Sequence, residues 1–426
     1  MSVSSSASPM RARPWATFRF APPQPALPFG ELGCEGDDSQ LYAAKKNLPV
    51  IMFFYGGAFT VGGTNSPYLI PAEWIQRTQE HIVISFNHRD NIFGYTNAAG
   101  LPPDQQNPGL LDARLAIEWV RDNIASFGGD PARIGLWGES SGAIIIAYYS
   151  YIYRTDPIAN SVILDSGNEF IDILSHNPTH SNFTYVASQL GCGNLPPAAE
   201  LTCMRKNNNN VSATAINALI ETYTDAGRTP PVFFSPSIDD GATVFANYSA
   251  RAQAGHIARL PALIGSNAQD GVSFVPYDPQ GVDQTLADEM TAVFFFCPSY
   301  QAARARITAH RGEVPVYRFV YAGNFKNVSP KPWMGAYHGA EMPPVFGTHG
   351  LFRGESSALE KETSRVMQDV WLEFVATAGE RMTVVEGWDA WREVDGGRVV
   401  EFGNGVPARV MDTREMEKQC QALGLS

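Results

Sequence analysis

The chain has 426 residues, enough for one large α/β domain or two to three average ones. Hydrophobic residues make up 44% and charged residues 17%, so the chain can bury a sizeable core and is no disordered polymer. Lys+Arg 31 against Asp+Glu 43 gives a net charge of −12, which argues against nucleic acid and anionic membrane, since both select basic surfaces. No apolar run approaches the ~20 residues that cross a bilayer, so no membrane span is expected.

In chain order, the opening MSVSSSASPMRARPW carries two arginines with no apolar segment behind them, and no signal peptide is read. Short apolar runs then recur, each bounded by Gly, Pro or Asn: residues 48–55, 81–87, 133–137, 161–165, 261–265 and 314–321. Their continuous rather than alternating hydrophobicity predicts strands buried on both faces of a parallel sheet. Between them lie helical patterns. In LLDARLAIEWVRDNIASF the apolar residues fall mostly at three- and four-residue spacing, and Met367, Val370, Trp371 and Phe374 do the same. Strand, helix and strand in repetition imply an α/β fold with right-handed crossovers. There is no internal repeat, and Asn207–Asn210 reads as a surface loop. No linker divides the chain, so residues 48–426 are expected to form a single domain preceded by a short segment 1–47.

Gly138-Glu139-Ser140-Ser141-Gly142 fits G-x-S-x-G, between the strand RIGLW and an apolar helix run SGAIIIAYYSY. That setting is a nucleophile elbow: a sharp turn holds Ser140 in strained backbone geometry, and small residues at 138 and 142 avoid clashes. The hydroxyl then stands at the positive end of the helix dipole. At the exit of the first strand, Tyr55-Gly56-Gly57-Ala58-Phe59 offers backbone amides to the same rim. Gly57, Ala58 and Ser141 are the candidate oxyanion donors.

A serine needs a base, and the base a carboxylate that fixes its tautomer. Three histidines lie far enough downstream. His310 falls in the Arg-rich pattern ARARITAHR and is expected to be solvated; His349 sits in a Gly-flanked turn. His338, in the loop GAYHGAEMPP after the strand VPVYRFVY, is the candidate base, and Asp270, in SNAQDG after PALIG, the candidate acid. His338-x-x-Glu341 has no third ligand nearby, so neither a metal nor a cofactor is expected. Tyr55, Phe59, Phe93 and Trp137 fit an apolar pocket and plain core equally well. Five cysteines form no CxxC pair, and Cys192 and Cys203 bracket a short Pro-rich segment. N-x-S/T sequons begin at Asn182, Asn210, Asn247 and Asn327.

Read together, YGGAF, NHRDNIFGY, NPGLLDARLAIEWVRDNIASFGGDP, GESSG, VILDSG, IGSNAQDG and GAYHGAEMPPVFG resemble the signatures of the type-B carboxylesterase/lipase family, which includes the cholinesterases and many fungal lipases. The resemblance implies an α/β-hydrolase fold with a mostly parallel sheet. It further implies Ser140 as nucleophile, Asp270 as acid and His338 as base, with Gly57, Ala58 and Ser141 around the oxyanion. Glu139 and Ser166 match supporting residues, Cys192–Cys203 and Cys297–Cys420 match family disulfides, and Cys34 is left unpaired. The chain departs from the family in three places. Asp270 replaces the usual Glu, which requires closer approach to the imidazole. Ala58 replaces the commoner Gly. YGGAF arrives several dozen residues early, with DDSQLYAAKK where two strands are expected, so one sheet edge is expected to be incomplete and cholinesterase activity is disfavoured.

The expected chemistry is hydrolysis of an uncharged carboxylic ester or lactone, a small-molecule partner, through an acyl-enzyme. A catalytically inactive binding protein and an acyltransferase are the alternatives on the same scaffold. The absent signal peptide and the secretory look of the disulfides and sequons point to opposite compartments, and the sequence carries no signal for an oligomeric state.

Overall fold

A computed structural model describes residues 19–24, 46–175, 177–206, 211–225, 232–238, 243–351, 353–392 and 398–425. Cys34, most of DDSQLYAAKK, Asn207–Asn210 and the opening segment before residue 19 lie outside the described residues. The strands are β1 (Leu48–Phe54), β2 (Ile82–Ser85), β3 (Gly129–Glu139), β4 (Ser161–Asp165), β5 (Ala262–Asn267), β6 (Val316–Tyr321), β7 (Arg398–Phe402) and β8 (Ala408–Asp412). They pair in the order β2-β1-β3-β4-β5-β6-β7-β8. Every neighbour is parallel except the closing β7–β8 pair, which is antiparallel.

The central strands β4, β5 and β6 are buried along their whole length, as continuous apolar runs require when helices cover both faces. One face packs against α1 (Pro108–Asn123), α2 (Ser141–Ile152) and α3 (Cys297–His310). The other packs against α4 (Met342–Phe346) and α5 (Ala358–Thr377). The two-residue period of β3 sends Ile134 and Leu136 to the first layer and Trp137 to the second. Trp137 is fully buried, with the rings of Phe53 and Phe346 at 4.6 and 4.9 Å. Gly135 shares that face because a Cβ there would stand 2.6 Å from Val375. Ser357 and Glu360 form a reciprocal capping box that starts α5.

Several readings of the sequence change. Tyr55, Phe59 and Trp137 are core: Tyr55 stacks on His88 at 4.6 Å and Phe59 meets Tyr95 edge-on at 5.0 Å. Phe93 is half-buried and stacks on Phe20. His310 is buried rather than solvated, its Nε2 3.0 Å from the Ala258 carbonyl. The arginine pattern misleads there because Arg306 points inward and pairs with buried Glu169 at 2.9 Å. The strands β7 and β8 have no counterpart in the sequence reading, since RVVEF and ARVMD are short and carry charge at an edge.

Both disulfides are formed, Cys192–Cys203 and Cys297–Cys420. The segment between the first pair is only partly loop, because Pro197–Met204 is a helix with proline at its first position. Cys297–Cys420 ties the start of α3 to α6 (Arg414–Ala422) across 123 residues, so it removes much more freedom from the unfolded chain than the 11-residue bridge. Among the sequon asparagines described, Asn327 is buried and donates to the His349 carbonyl, whereas Asn247 is exposed as a helix N-cap.

Replacing Cys297 and Cys420 together by Ser is expected to lower the unfolding free energy by about 2–5 kcal/mol. The Cys192/Cys203 double variant should lose less. Guanidinium titration checks both, and an unchanged midpoint for the Cys297/Cys420 variant would contradict the assigned role.

Candidate active site

The order of the sheet creates the site. β1 pairs with β2 on one side and β3 on the other, so the connections leaving the carboxyl ends of β1 and β3 diverge and open a crevice between them. Gly56, Gly57 and Ala58 leave β1 at this point, and Glu139 and Ser140 leave β3. Ser140 adopts φ 54°, ψ −126°, directly before α2. This is a costly conformation for a residue with a Cβ, and the surroundings enforce it. A Cβ at Gly138 would lie 2.5 Å from the Gly142 carbonyl carbon, and one at Gly142 would lie 2.1 Å from the Phe54 carbonyl oxygen. The Ser140 amide donates to the Asp165 carbonyl at 2.8 Å, which fastens the turn to β4.

The loop after β1 is equally tight. The Gly57 carbonyl accepts from the amides of Thr60 and Val61 at 3.0 and 3.1 Å, and Ala58 takes a left-handed φ of 53°. The amides of Gly57, Ala58 and Ser141 donate to no acceptor among the described residues. Ser141 opens α2, so its N–H is one of the unpaired donors at the positive helix end.

Asp270 and His338 meet as the sequence suggests: His338 Nδ1 lies 2.8 Å from Asp270 Oδ1. The shorter Asp arm therefore reaches the imidazole. Asp270 is fully buried, and its other oxygen accepts from the Ser166 hydroxyl at 3.0 Å and the Asn267 amide at 2.7 Å. The loop carrying His338 is docked onto the Asp270 loop by a pair of bonds. Gln269 N donates to the Ala336 carbonyl at 3.1 Å, and the Ala336 amide donates to Gln269 Oε1 at 2.7 Å. Glu139 also joins the imidazole, its Oε1 3.2 Å from Nε2. The contact not made is the one to Ser140, whose hydroxyl forms no hydrogen bond among the described residues.

Four carboxyl groups cluster here, and three of them, Glu139, Asp270 and Glu341, act on the imidazole. Asp165 is fully buried with neither side-chain oxygen partnered, and its proton affinity is pushed well up by burial and then by Glu341, Glu139 and Asp270. Glu341 is raised to about 8, first by burial and then by Glu139 and Asp270, while one of its oxygens accepts from the Asn267 side chain. Burial likewise raises Glu139, against the opposing attraction of His338. Burial on its own pulls His338 down, but Glu139, Asp270 and Glu341 outweigh it and hold the imidazole at about 9. The physical cause is common to all: several like charges confined at low dielectric cannot coexist, so protons are retained.

Asn267, Gln269, Asp165 and Glu341 were not singled out from the sequence for these contacts. Asn267 and Gln269 lie inside IGSNAQDG and Asp165 inside VILDSG, motifs already noted, but nothing in the residue types marks which side chains turn inward. Phe274 and Phe295 also went unread. Their rings each lie 5.0 Å from that of His338 and form an apolar wall, with Phe274 half-exposed at its edge. Among the described residues no group of three or more His, Cys, Asp or Glu is arranged to hold a metal, and no helix is long and apolar enough to cross a membrane.

Comparison with known proteins bears on this arrangement. A model of the carboxylesterase family matches residues 38–289 and 277–421. A chlorogenic acid esterase of Aspergillus niger is 44% identical over 335 residues, covering 79% of this chain and 63% of that protein. Secreted lipase 5 of Gibberella zeae is 41% identical over 342 residues, covering 77% of this chain and 63% of that protein. The chain thus spans less than two thirds of the length of either fungal relative. A solved PNB esterase structure superposes with a TM-score of 0.74 at 21% identity, covering 94% of this chain and 92% of that one, which matches the α/β-hydrolase fold. The chain belongs to the carboxylesterase family.

Proposed function

We propose that the protein is a serine hydrolase of carboxylic esters that works through an acyl-enzyme, with residues 48–426 as one catalytic domain. The reading rests on one observation above the others: the His338–Asp270 hydrogen bond sits at the rim where strained Ser140 and three unpaired amides also lie. Ser140 is the nucleophile. On substrate binding, His338 Nε2 turns from Glu139 to the Ser140 hydroxyl, a tightening common between free and substrate-bound sites. It takes the hydroxyl proton as Oγ bonds to the ester carbonyl carbon, and the amides of Gly57, Ala58 and Ser141 hold the oxyanion. Collapse breaks the bond to the alcohol oxygen, which leaves with the proton from His338. Water, deprotonated by the same imidazole, then releases the carboxylic acid and restores Ser140. Asp270 orients His338 and stabilises its charged form, and Ser166 and the Asn267 amide hold Asp270 in place.

The apolar wall of Phe274 and Phe295 suits an apolar acyl half, and a lactone with such a ring fits the same chemistry. The names of the two fungal relatives, a chlorogenic acid esterase and a secreted lipase, support an ester as substrate.

Ser140→Ala is expected to lower kcat for p-nitrophenyl butyrate by about 10⁴-fold or more, with the circular dichroism spectrum unchanged. Substantial residual turnover would remove Ser140 from its role. The pH dependence gives an independent check. His338 acts as base only when neutral, so kcat/KM rises as pH increases through its titration. Glu139 is the foremost of the neighbours raising that titration. Glu139→Gln should therefore move the acidic limb of kcat/KM to lower pH, by about 1 unit or more for a charge at this distance. A limb that stays in place would show that Glu139 does not set the protonation of His338.

A further inference from the structure

Asn267 closes β5 and is buried, and its two amides, main-chain and side-chain, go to the two residues that must meet. The main-chain N–H donates to Asp270 Oδ2 at 2.7 Å. The side-chain Nδ2 donates to the Tyr337 carbonyl at 2.8 Å, on the residue directly before His338. The same nitrogen reaches the Glu341 carboxyl, on the other side of His338 in the chain. A carbonyl only accepts, so the nitrogen of the Asn267 side chain must be the atom that faces Tyr337.

The Tyr337 carbonyl is the point from which the base is hung. It also accepts from the Ala340 amide at 2.9 Å, which closes a tight turn with His338 as its second residue. Gly339, the third, takes a φ of 81°, a conformation that favours glycine. The imidazole therefore stands on a turn whose first carbonyl is gripped by Asn267. The chain leading into the turn is held too, since the Ser329 hydroxyl donates to the Gly335 carbonyl at 2.6 Å and Gln269 holds Ala336. Asn267 differs from Ser329 and Gln269 in bonding both to the Asp270 carboxyl and to the turn itself.

We propose that Asn267 is the positioning residue of the acid–base pair: its main chain sets Asp270, its side chain sets the turn of His338, and the separation of the two follows. This rests on the ester-hydrolase reading above and adds a residue that acts through Asp270 and His338 rather than on the ester. The imidazole must bond to Asp270 on one side and reach the Ser140 hydroxyl on the other, so its place is fixed at both nitrogens. A displacement of about 1 Å can cost about 10²-fold in rate without weakening substrate binding.

The experiment measures hydrolysis of p-nitrophenyl butyrate, thermal unfolding, and the far-downfield proton signal of the His338–Asp270 bond. That signal is assigned by its loss in His338→Gln. Turnover is read at the plateau of the pH profile, so that a shifted titration is not mistaken for a shifted ring. Asn267→Ala should lower kcat by about 10²-fold with KM unchanged, and should shift or remove the downfield signal. Asn267→Asp keeps the volume but offers at most one proton to two acceptors, so kcat should fall while the unfolding temperature stays near the parent's. Asn327→Ala is the control for a lost buried amide. Asn327 is also buried, and its Nδ2 donates to the His349 carbonyl and the Ser356 hydroxyl at 2.7 and 3.0 Å, away from the turn. This variant should lose stability yet keep the parent's kcat and downfield signal. Parent-like kcat and signal in Asn267→Asp would overturn the positioning role, as would an equal loss of kcat in Asn327→Ala and Asn267→Ala. Both outcomes leave the hydrolase reading intact, whereas failure of the parent to hydrolyse the ester would overturn that reading as well.

Discussion

The site depends on how closely two parallel strands are allowed to approach at their carboxyl ends. The turn after β3 packs directly onto the exit of β1, and a side chain at Gly142 would strike the Phe54 carbonyl at 2.1 Å. On the other flank, a side chain at Gly167 would strike the Ser140 carbonyl at 2.0 Å. Ser140 is therefore left with no relaxed alternative to its left-handed backbone, and the strain is sustained by packing of the whole sheet rather than by the turn. Once that turn is fixed, the start of α2 lies against the exit of β1, and the amides of Gly57, Ala58 and Ser141 have no acceptor among the described residues. In the proposed mechanism these backbone amides are the oxyanion donors, and their placement owes more to the turns than to any side chain.

Placing the imidazole is a separate problem, solved by a different part of the chain. Asp270 is buried and hydrogen-bonded from two sides, and Gln269 clasps the loop that brings His338 over it. The surrounding acids then set the working protonation state. Desolvation favours neutral groups everywhere, yet the imidazole is held protonated because three acids press on it together. Asp165 and Glu341 meet the same crowding by keeping protons of their own. Such a site resists losing its histidine proton, and the contact between Glu139 and Nε2 is the structural expression of that preference.

Much of this was legible in the sequence where spacing carries the physics. The buried strands announce themselves as continuous apolar runs, and GESSG between a strand and a helix points to its own turn. Ser140, Asp270 and His338 could be chosen because each follows a strand. The parts that were missed depend on which neighbours a residue meets across the sheet. Asp165 lies beside Glu139 only through the pairing of β3 with β4, and an isolated Asp in VILDSG gives no hint that both its oxygens are enclosed. His310 was misjudged for the converse reason: arginine spacing suggested a wet helix, while Arg306 turns inward to Glu169. The aromatics nearest the elbow in sequence, Phe59 and Trp137, are core, and the rings beside His338 come from Phe274 and Phe295, more than a hundred residues downstream of the elbow.

The account's central claim is that one rim gathers the serine, the imidazole and the oxyanion amides into a single reacting geometry. A crystal structure of the protein inhibited with a butyl p-nitrophenyl phosphonate tests it most directly. The account predicts phosphorus bonded to Ser140 Oγ, with its oxygen about 3 Å from the amides of Gly57, Ala58 and Ser141. It also predicts His338 Nε2 turned from Glu139 toward the adduct. An adduct on another residue, or one on Ser140 whose oxygen faces solvent while the imidazole stays on Glu139, would contradict it.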